Sequence, residues 1–477
     1  MKNITKIKAL VLFTVFATFT ACDTVDFGDT NISPNAPTKA STALLLTNVE
    51  RSVAGYTTQT LPNLYAQYIS EGQYPESSQY QDQNFSYSGV YGILTEIKRI
   101  VELNTNDETK TDAAANGPNA NQIAAASLLR VYYLKYSVER WGMMPYTEAL
   151  EGLANPYPKF DGQVDIYKAL IGEIDAALAL ITAGDISGDY LFDGKMATWA
   201  KFGNTMKMIM ALNLSRADAA TGAAKFNEAL GNTISSNAEN LVYPFLSDDA
   251  NDNAWQDRFQ TRVDYLISDT FANALIGAGT STAPQDPRLP KMAATAKDTP
   301  TEYVGAPYGA QNTALNSYSF ITSDIIYDGS RDMPIFTYAQ VLFSRAEAAA
   351  LGWTTETAAT LYTQGIQASM EQWGVAAADI ATYVAAKPYV NSSSIAYEKW
   401  VSMFLQGYDS WTDWRRMKAH GYEKPLTPPA VILGGATGVP NRHAYATNTA
   451  NLNKDNYDAA IAVQGADDLN TVLEMFK

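Results

Sequence analysis

Apolar side chains return every third or fourth position in several long blocks of this chain. In Ile123–Trp141 they are Leu128, Val131, Leu134, Val138 and Trp141, and in Ile166–Ile181 they are Tyr167, Leu170, Ile174, Leu178 and Ile181. Trp199–Leu214 repeats the spacing with Phe202, Met206, Ile209 and Met210. Toward the C-terminus the same rhythm runs through Ile335–Leu351 (Tyr338, Leu342, Ala346, Ala349) and Ala358–Trp373 (Tyr362, Ile366, Ser369, Trp373). It returns in Ile395–Trp414 (Tyr397, Trp400, Phe404, Tyr408, Trp411). Such spacing aligns one apolar stripe on each helix. Ser41–Ala54 predicts a further helix, with Ser41 or Thr42 as its cap. No convincing set of alternating positions marks strands, so the expected fold is mainly α. Ala346 and Ala349 with Trp373, and Ala125 and Ala126 with Trp141, set small residues against bulky ones. Stacked helix hairpins require that, which predicts a tetratricopeptide-like scaffold of helical pairs, although the strict repeat pattern is not met.

Between the periodic blocks the pattern fades. Asn104–Asn121 is polar and small and reads as an exposed loop. Tyr243–Tyr327 is long, rich in Asn, Asp, Pro and Tyr, and periodic only over Val263–Ile276. Irregular stretches of that length inside a folded body are usually functional or disordered, and the aromatic content argues against disorder. Ala419–Gly465 is a second irregular region. Ser33-Pro34-Asn35-Ala36-Pro37-Thr38 forbids regular helix, because each proline disfavours the helical region for its predecessor.

The N-terminus changes the picture. Lys2, Lys6 and Lys8 precede the apolar run Ala9–Phe19, and Phe19-Thr20-Ala21-Cys22 ends it at the only cysteine. That order is a secretory signal peptide's, and the run is shorter than the roughly 20 apolar residues a spanning helix needs. Cys22 at the cleavage point resembles a bacterial lipobox, with Phe19 in place of the usual Leu. The expectation is a signal peptide over 1–21, a lipidated tether over 22–40 and one body over 41–477. Each buried acyl methylene contributes about 0.8 kcal/mol, so an acylated Cys22 would hold a water-soluble body on a membrane. Asp23, Asp26 and Asp29 resemble the export signal of surface-displayed lipoproteins.

Composition narrows the function. Loss of residues 1–21 removes three lysines and no acids, taking the formal charge from −16 to −19. So acidic a chain repels nucleic acid. One cysteine permits no intrachain disulfide framework. The 29 tyrosines and 8 tryptophans suit either helix packing or the flat apolar faces of a ligand.

Motifs spread over nearly the whole chain carry a family resemblance. Asn31-Ile32-Ser33-Pro34-Asn35-Ala36-Pro37 follows Cys22, and Arg140-Trp141-Gly142-Met143-Met144-Pro145-Tyr146 with Glu148-Ala149 closes the first strong helix. Phe160-Asp161 precedes Ile166-Tyr167, and Trp199-Ala200-Lys201-Phe202-Gly203-Asn204 opens a later helix that Arg216 follows. Asp286-Pro287-Arg288, Phe343-Ser344-Arg345-Ala346-Glu347-Ala348, Gly407-Tyr408-Asp409-Ser410-Trp411 with Arg415-Arg416, and Pro440-Asn441-Arg442 complete the series. In this order they resemble the SusD/RagB group of outer-membrane nutrient-binding lipoproteins, in its SusD-like branch. The resemblance implies four tetratricopeptide-like pairs scaffolding a large irregular ligand-binding half. It also implies a partner, a SusC-like TonB-dependent outer-membrane transporter, over which the protein acts as a lid. Its ligand would be an oligosaccharide or a peptide.

The resemblance places ligand on the loops Tyr68–Tyr91 and Asp248–Tyr327. The first offers Tyr74, Tyr80, Phe85 and Tyr87 among Gln79, Gln81 and Asn84; the second offers Asn253, Trp255, Arg258, Phe259, Tyr303 and Tyr308. Sugars want a ring beneath the C–H face and amides or guanidinium for hydroxyls, and both loops hold that mixture. An extended peptide would use the same rings. Trp141-Gly142 reads as a helix stop, and Glu347 with Arg415 or Arg416 as a partly buried ion pair. Asp249, Asn251 and Asn253 have EF-hand spacing, but Ala254 and Gln260 replace its glycine and glutamate, leaving only an irregular structural calcium ion as an option. No cofactor is otherwise expected. His420 and His443 have no zinc-protease spacing, and no nucleophile elbow or phosphate loop is present. A carboxylate pair acting on glycans is the one enzymatic version left, and the expected role is capture without catalysis.

Overall fold

Side chains cap several helix N-termini: Asp218, Asn253, Ser268, Thr337 and Asn391 each accept a backbone N–H there. A computed structural model describes residues 40–81, 84–277, 285–424 and 426–477. The signal peptide, Cys22 and the tether lie outside the described residues. The longer helices are α1 (Thr42–Arg51), α2 (Ser88–Thr105), α3 (Asn119–Trp141), α4 (Gln163–Leu180), α5 (Met196–Asn213) and α6 (Ala219–Ala229). In the irregular half come α7 (Ala254–Gln260) and α8 (Asp269–Ile276), followed by α9 (Tyr338–Ala350), α10 (Ala358–Gln372), α11 (Ala377–Ala386), α12 (Ser392–Ser402), α13 (Gly407–His420) and α14 (Lys454–Gln464). Strands β1 (Ile69–Glu71), β2 (Leu241–Tyr243), β3 (Tyr265–Ile267) and β4 (Met333–Phe336) form two antiparallel pairs, β1 with β3 and β2 with β4.

Successive helices pack as hairpins: α2 on α3, α3 on α4, α5 on α6 and α9 on α10. Close approach needs small residues at the crossing. A methyl group on Gly365 would stand 2.8 Å from the Phe343 ring, so α9 and α10 meet at van der Waals distance. The mainly α, paired-helix architecture agrees with the sequence pattern.

Four stretches differ from the sequence reading. Ser88–Thr105, unassigned above, is a full amphipathic helix with Val90, Leu94, Ile97 and Ile100 buried. The Asn104–Asn121 stretch is mostly the end of α2, single turns and the start of α3 rather than a loop. Buried Asn121 explains the order there: its Nδ2 donates to the carbonyls of Thr182 (3.0 Å) and Gly184 (2.7 Å). Ile335–Leu351 divides into strand β4 and helix α9, whose Thr337 cap accepts from the Gln340 N–H at 3.2 Å. Ile395–Trp414 breaks between α12 and α13, with Leu405 at φ +66°. A Cβ on Gly407 would lie 2.4 Å from the Asn63 nitrogen, so the break brings α13 against the short helix Thr60–Tyr65.

Buried charges tie the scaffold together. Arg416 pairs with Glu347, and also with Asp413 at 2.7 Å, all deeply buried. Arg415 instead donates to the backbone carbonyls of Glu139 (2.6 Å) and Asn441 (3.0 Å) and lies 3.9 Å over the Trp411 ring. Lys135 joins Glu139 (3.1 Å) to Asp409 (2.9 Å), linking α3 to α13. Gly142 stops α3 at φ +81°, and a Cβ there would sit 2.0 Å from Gln464 Oε1. The helix stop is therefore also where α14 docks.

Candidate functional site

The two aromatic loops are one structural unit. Residues 69–71 of the first pair with 265–267 of the second, Ile69 opposite Ile267 and Glu71 opposite Tyr265. Beyond the strands, Gly72 N–H donates to the Asp264 carbonyl (2.8 Å) and Gln79 Nε2 to the Gly309 carbonyl (2.9 Å). Asn312 Nδ2 crosses between the loops to the Glu71 carbonyl at 2.8 Å. Backbone pairing thus fixes both loops before any ligand arrives.

Most of the candidate aromatics serve that fixing. Tyr80 is fully buried at φ +61° and packs edge-on against Tyr65. Trp255 and Phe259 are buried beneath α7, and Asn253 caps α7 by accepting from the Trp255 N–H at 2.9 Å. Tyr308 donates to the Leu64 carbonyl at 2.7 Å, and Phe85 stacks on His443 at 3.9 Å. The physical reason is the same throughout: a large apolar ring is stabilised more by leaving water than by waiting for a ligand. Tyr74 is 54 % exposed, with the Arg262 guanidinium 5.7 Å over its ring. Tyr303 is half-buried, and burial raises its hydroxyl pKa.

An open polar groove of about 570 Å³ lies where the end of α1 faces the loop leading into α7. Asn48, Arg51 and Gln59 line one side, and Asp252, Asp257 and Arg258 the other. Burial raises the Asp252 pKa first, and the neighbouring Asp257 carboxylate raises it further. Burial lowers the pKa of Arg258, whose guanidinium rests 5.1 Å over Trp255 and whose buried Nη1 has no partner. Such a set offers donors and acceptors in several directions, which suits hydroxyl-rich ligands. Arg258 is the groove residue singled out in sequence as a ligand contact, and Asp249 and Asn251, singled out for their calcium-like spacing, line the groove too. Arg51 and Gln59 carried no signal, because only tertiary contact brings the end of α1 to this loop.

Two side-chain oxygens of the calcium-like spacing are already engaged: Asn253 Oδ1 as the α7 cap, and Asn251 Oδ1 by the Tyr243 hydroxyl at 3.0 Å. Among the described residues no group of three or more His, Cys, Asp or Glu could hold a metal ion. His420 shares a 2.8 Å hydrogen bond with Ser215 Oγ, and burial pushes its pKa down to about 4.

Residues 34–445 match the profile of the SusD-like family described as "starch-binding associating with outer membrane". The chain belongs to this SusD-like family. A solved structure titled as a chitin-binding protein is similar at TM-score 0.79 and 23% identity, covering 92% of this chain and 100% of that one. A SusD homolog from Bacteroides fragilis matches at TM-score 0.78 and 22% identity, over 92% of this chain and 100% of its own. A chitin-binding SusD homolog from Flavobacterium johnsoniae matches at 0.71 and 20%, over 91% and 98%. At such identities these likenesses carry the fold alone. No curated protein matches the chain. Among the described residues of this SusD-like protein, no helix is long and apolar enough to cross a membrane.

Proposed function

We propose that this protein captures a nutrient oligomer, a glycan in the first place, at the outer-membrane surface without cleaving it. It delivers the captured chain to a SusC-like TonB-dependent transporter, serving as its lid, and ligand binding favours the closed lid. Family membership supports the reading, as do the chitin-binding titles of two similar structures. The observation that carries it is the open polar groove, which Arg51, Arg258, Asn48 and Gln59 line together. Acylation of Cys22 would keep that groove at the cell exterior.

The test is calorimetric titration of the full chain, held in detergent, with neutral and acidic oligosaccharides and with extended peptides. Saturable glycan binding without products is expected. Binding confined to peptides would reassign the ligand. Shortened oligosaccharides would make the Asp252 and Asp257 carboxylates an acid–base pair and overturn the capture role. Co-purification with a barrel transporter checks the partnership.

A further inference from the structure

A second opening lies beside the groove and shares Gln59 with it. It encloses about 310 Å³, at the low end of the roughly 300–1,000 Å³ usual for small-ligand pockets, which is room for one sugar unit. Thr60, Ser77, Asn84 and Ser86, all with hydroxyl or amide side chains, line its exposed side. Phe85 and Trp141 form apolar wall, and Arg140, Tyr408 and His443 form the buried end.

That buried end is chemically incomplete. His443 is 3 % exposed and lies between the rings of Phe85 and Trp411, yet neither ring nitrogen has a hydrogen-bond partner. Burial, together with Arg140, Arg415 and Arg442, holds its pKa well below the usual value, so the ring is neutral and keeps one N–H to donate. The His443 backbone N–H donates to the Arg140 carbonyl at 2.8 Å, which fixes the two residues side by side. Arg140 is 8 % exposed and forms no ion pair with a described residue. Its Nε donates to the Tyr136 carbonyl and its Nη1 to the Tyr408 hydroxyl, both at 2.9 Å, while the guanidinium lies 4.4 Å over Trp141. Arg442, by contrast, is matched by Asp467 at 3.0 Å. Carboxylates outnumber cations 50 to 34 in this chain, so an arginine buried beside an open cavity with no carboxylate partner among the described residues stands apart.

A buried cation is costly unless an anion completes it, and a guanidinium flanked by another N–H donor matches the two oxygens of a carboxylate. Hydroxyls and an amide at the mouth match the rest of a sugar ring. We infer that this cavity binds the carboxylate of an acidic sugar, a uronic acid unit of the captured glycan, with Arg140 and His443 as its donors. The inference rests on the glycan-capture reading and names its substrate class. The protein's net negative charge does not oppose it, since charges beyond about 8 Å are screened at physiological ionic strength.

Oligogalacturonate, oligoalginate and hyaluronan oligomers, each beside its methyl ester, are titrated into the full chain in detergent. The acid form of at least one should bind ten times or more tighter than its ester. Arg140→Gln should remove that preference. Because Arg140 also ties α3 to α13, the acid-against-ester comparison on the unaltered chain stands by itself. Equal affinities for every acid and ester overturn the inference while glycan capture survives. Failure of all glycans to bind overturns both. A preference for peptides with a free over an amidated C-terminus gives the cavity to another ligand and overturns it as well.

Discussion

Glu347 and Arg258 show how one charged residue can hold the fold and another line an open groove. Glu347 is fully buried and receives both terminal nitrogens of Arg416 and the Tyr422 hydroxyl. Breaking a buried pair leaves its partner uncompensated, so Glu347→Gln should destabilise by about 3 kcal/mol in denaturant titration. Affinity per folded molecule should not change. Arg258 behaves oppositely: one face rests on Trp255 and the other lines the groove. Arg258→Ala should cost tenfold or more in glycan affinity by calorimetry, with a melting temperature close to the parent's. Trp255→Ala, which empties a fully buried site beneath it, should cost about 3–5 kcal/mol of stability. The two substitutions therefore separate support from contact within one turn of α7.

At the scale of elements, docking is decided where backbones nearly touch. Gly407 starts α13 against Asn63, and Gly407→Ala would place a methyl group 2.4 Å from a backbone nitrogen. Overpacking of this kind costs about 1–3 kcal/mol, readable as a fall in denaturation midpoint. Helix α1 docks through Glu50, whose carboxylate accepts from the backbone N–H groups of Tyr190 (2.5 Å) and Leu191 (3.3 Å). Burial, then the Asp189 charge, raises its pKa well above the ordinary carboxylate value. The folded state therefore holds this proton more tightly than the unfolded chain. Its stabilising contribution is complete below the unfolded pKa and is lost as pH rises through the folded one. Relative to Glu50→Gln, the parent protein should gain stability as pH falls from 7 to about 4.5, measured by melting at each pH. A constant difference would place the Glu50 proton elsewhere.

Across the whole molecule, a paired-helix scaffold carries two loops joined by β1 and β3, with the groove and the cavity opening beside them. The fold needs no disulfide, and its buried ion pairs join helices distant in sequence, such as α3 with α13 and α9 with α13. Surface retention through an acylated Cys22 is a separate part of the proposal. Cys22→Ser should move the protein from the membrane to the soluble fraction, read by fractionation, while glycan affinity stays unchanged.

Helix positions such as α3, α4 and α5 were legible in the chain because burial of one stripe imposes a period of 3.6 residues, and a period survives in sequence. The same signal was present at Val90, Leu94 and Ile97 of α2. The family motifs likewise marked Arg140, Glu347 and Arg416 before their partners were known. Only tertiary structure decided which aromatics leave water, since Tyr80, Trp255 and Tyr308 look as available in sequence as Tyr74. It alone carried Arg51 at the end of α1 and Gln59 at the cap of the short helix Thr60–Tyr65 to the loop before α7, and His443 from the C-terminal region to Arg140. Contacts between residues hundreds of positions apart leave no periodic trace, because they depend on how whole elements cross rather than on local spacing.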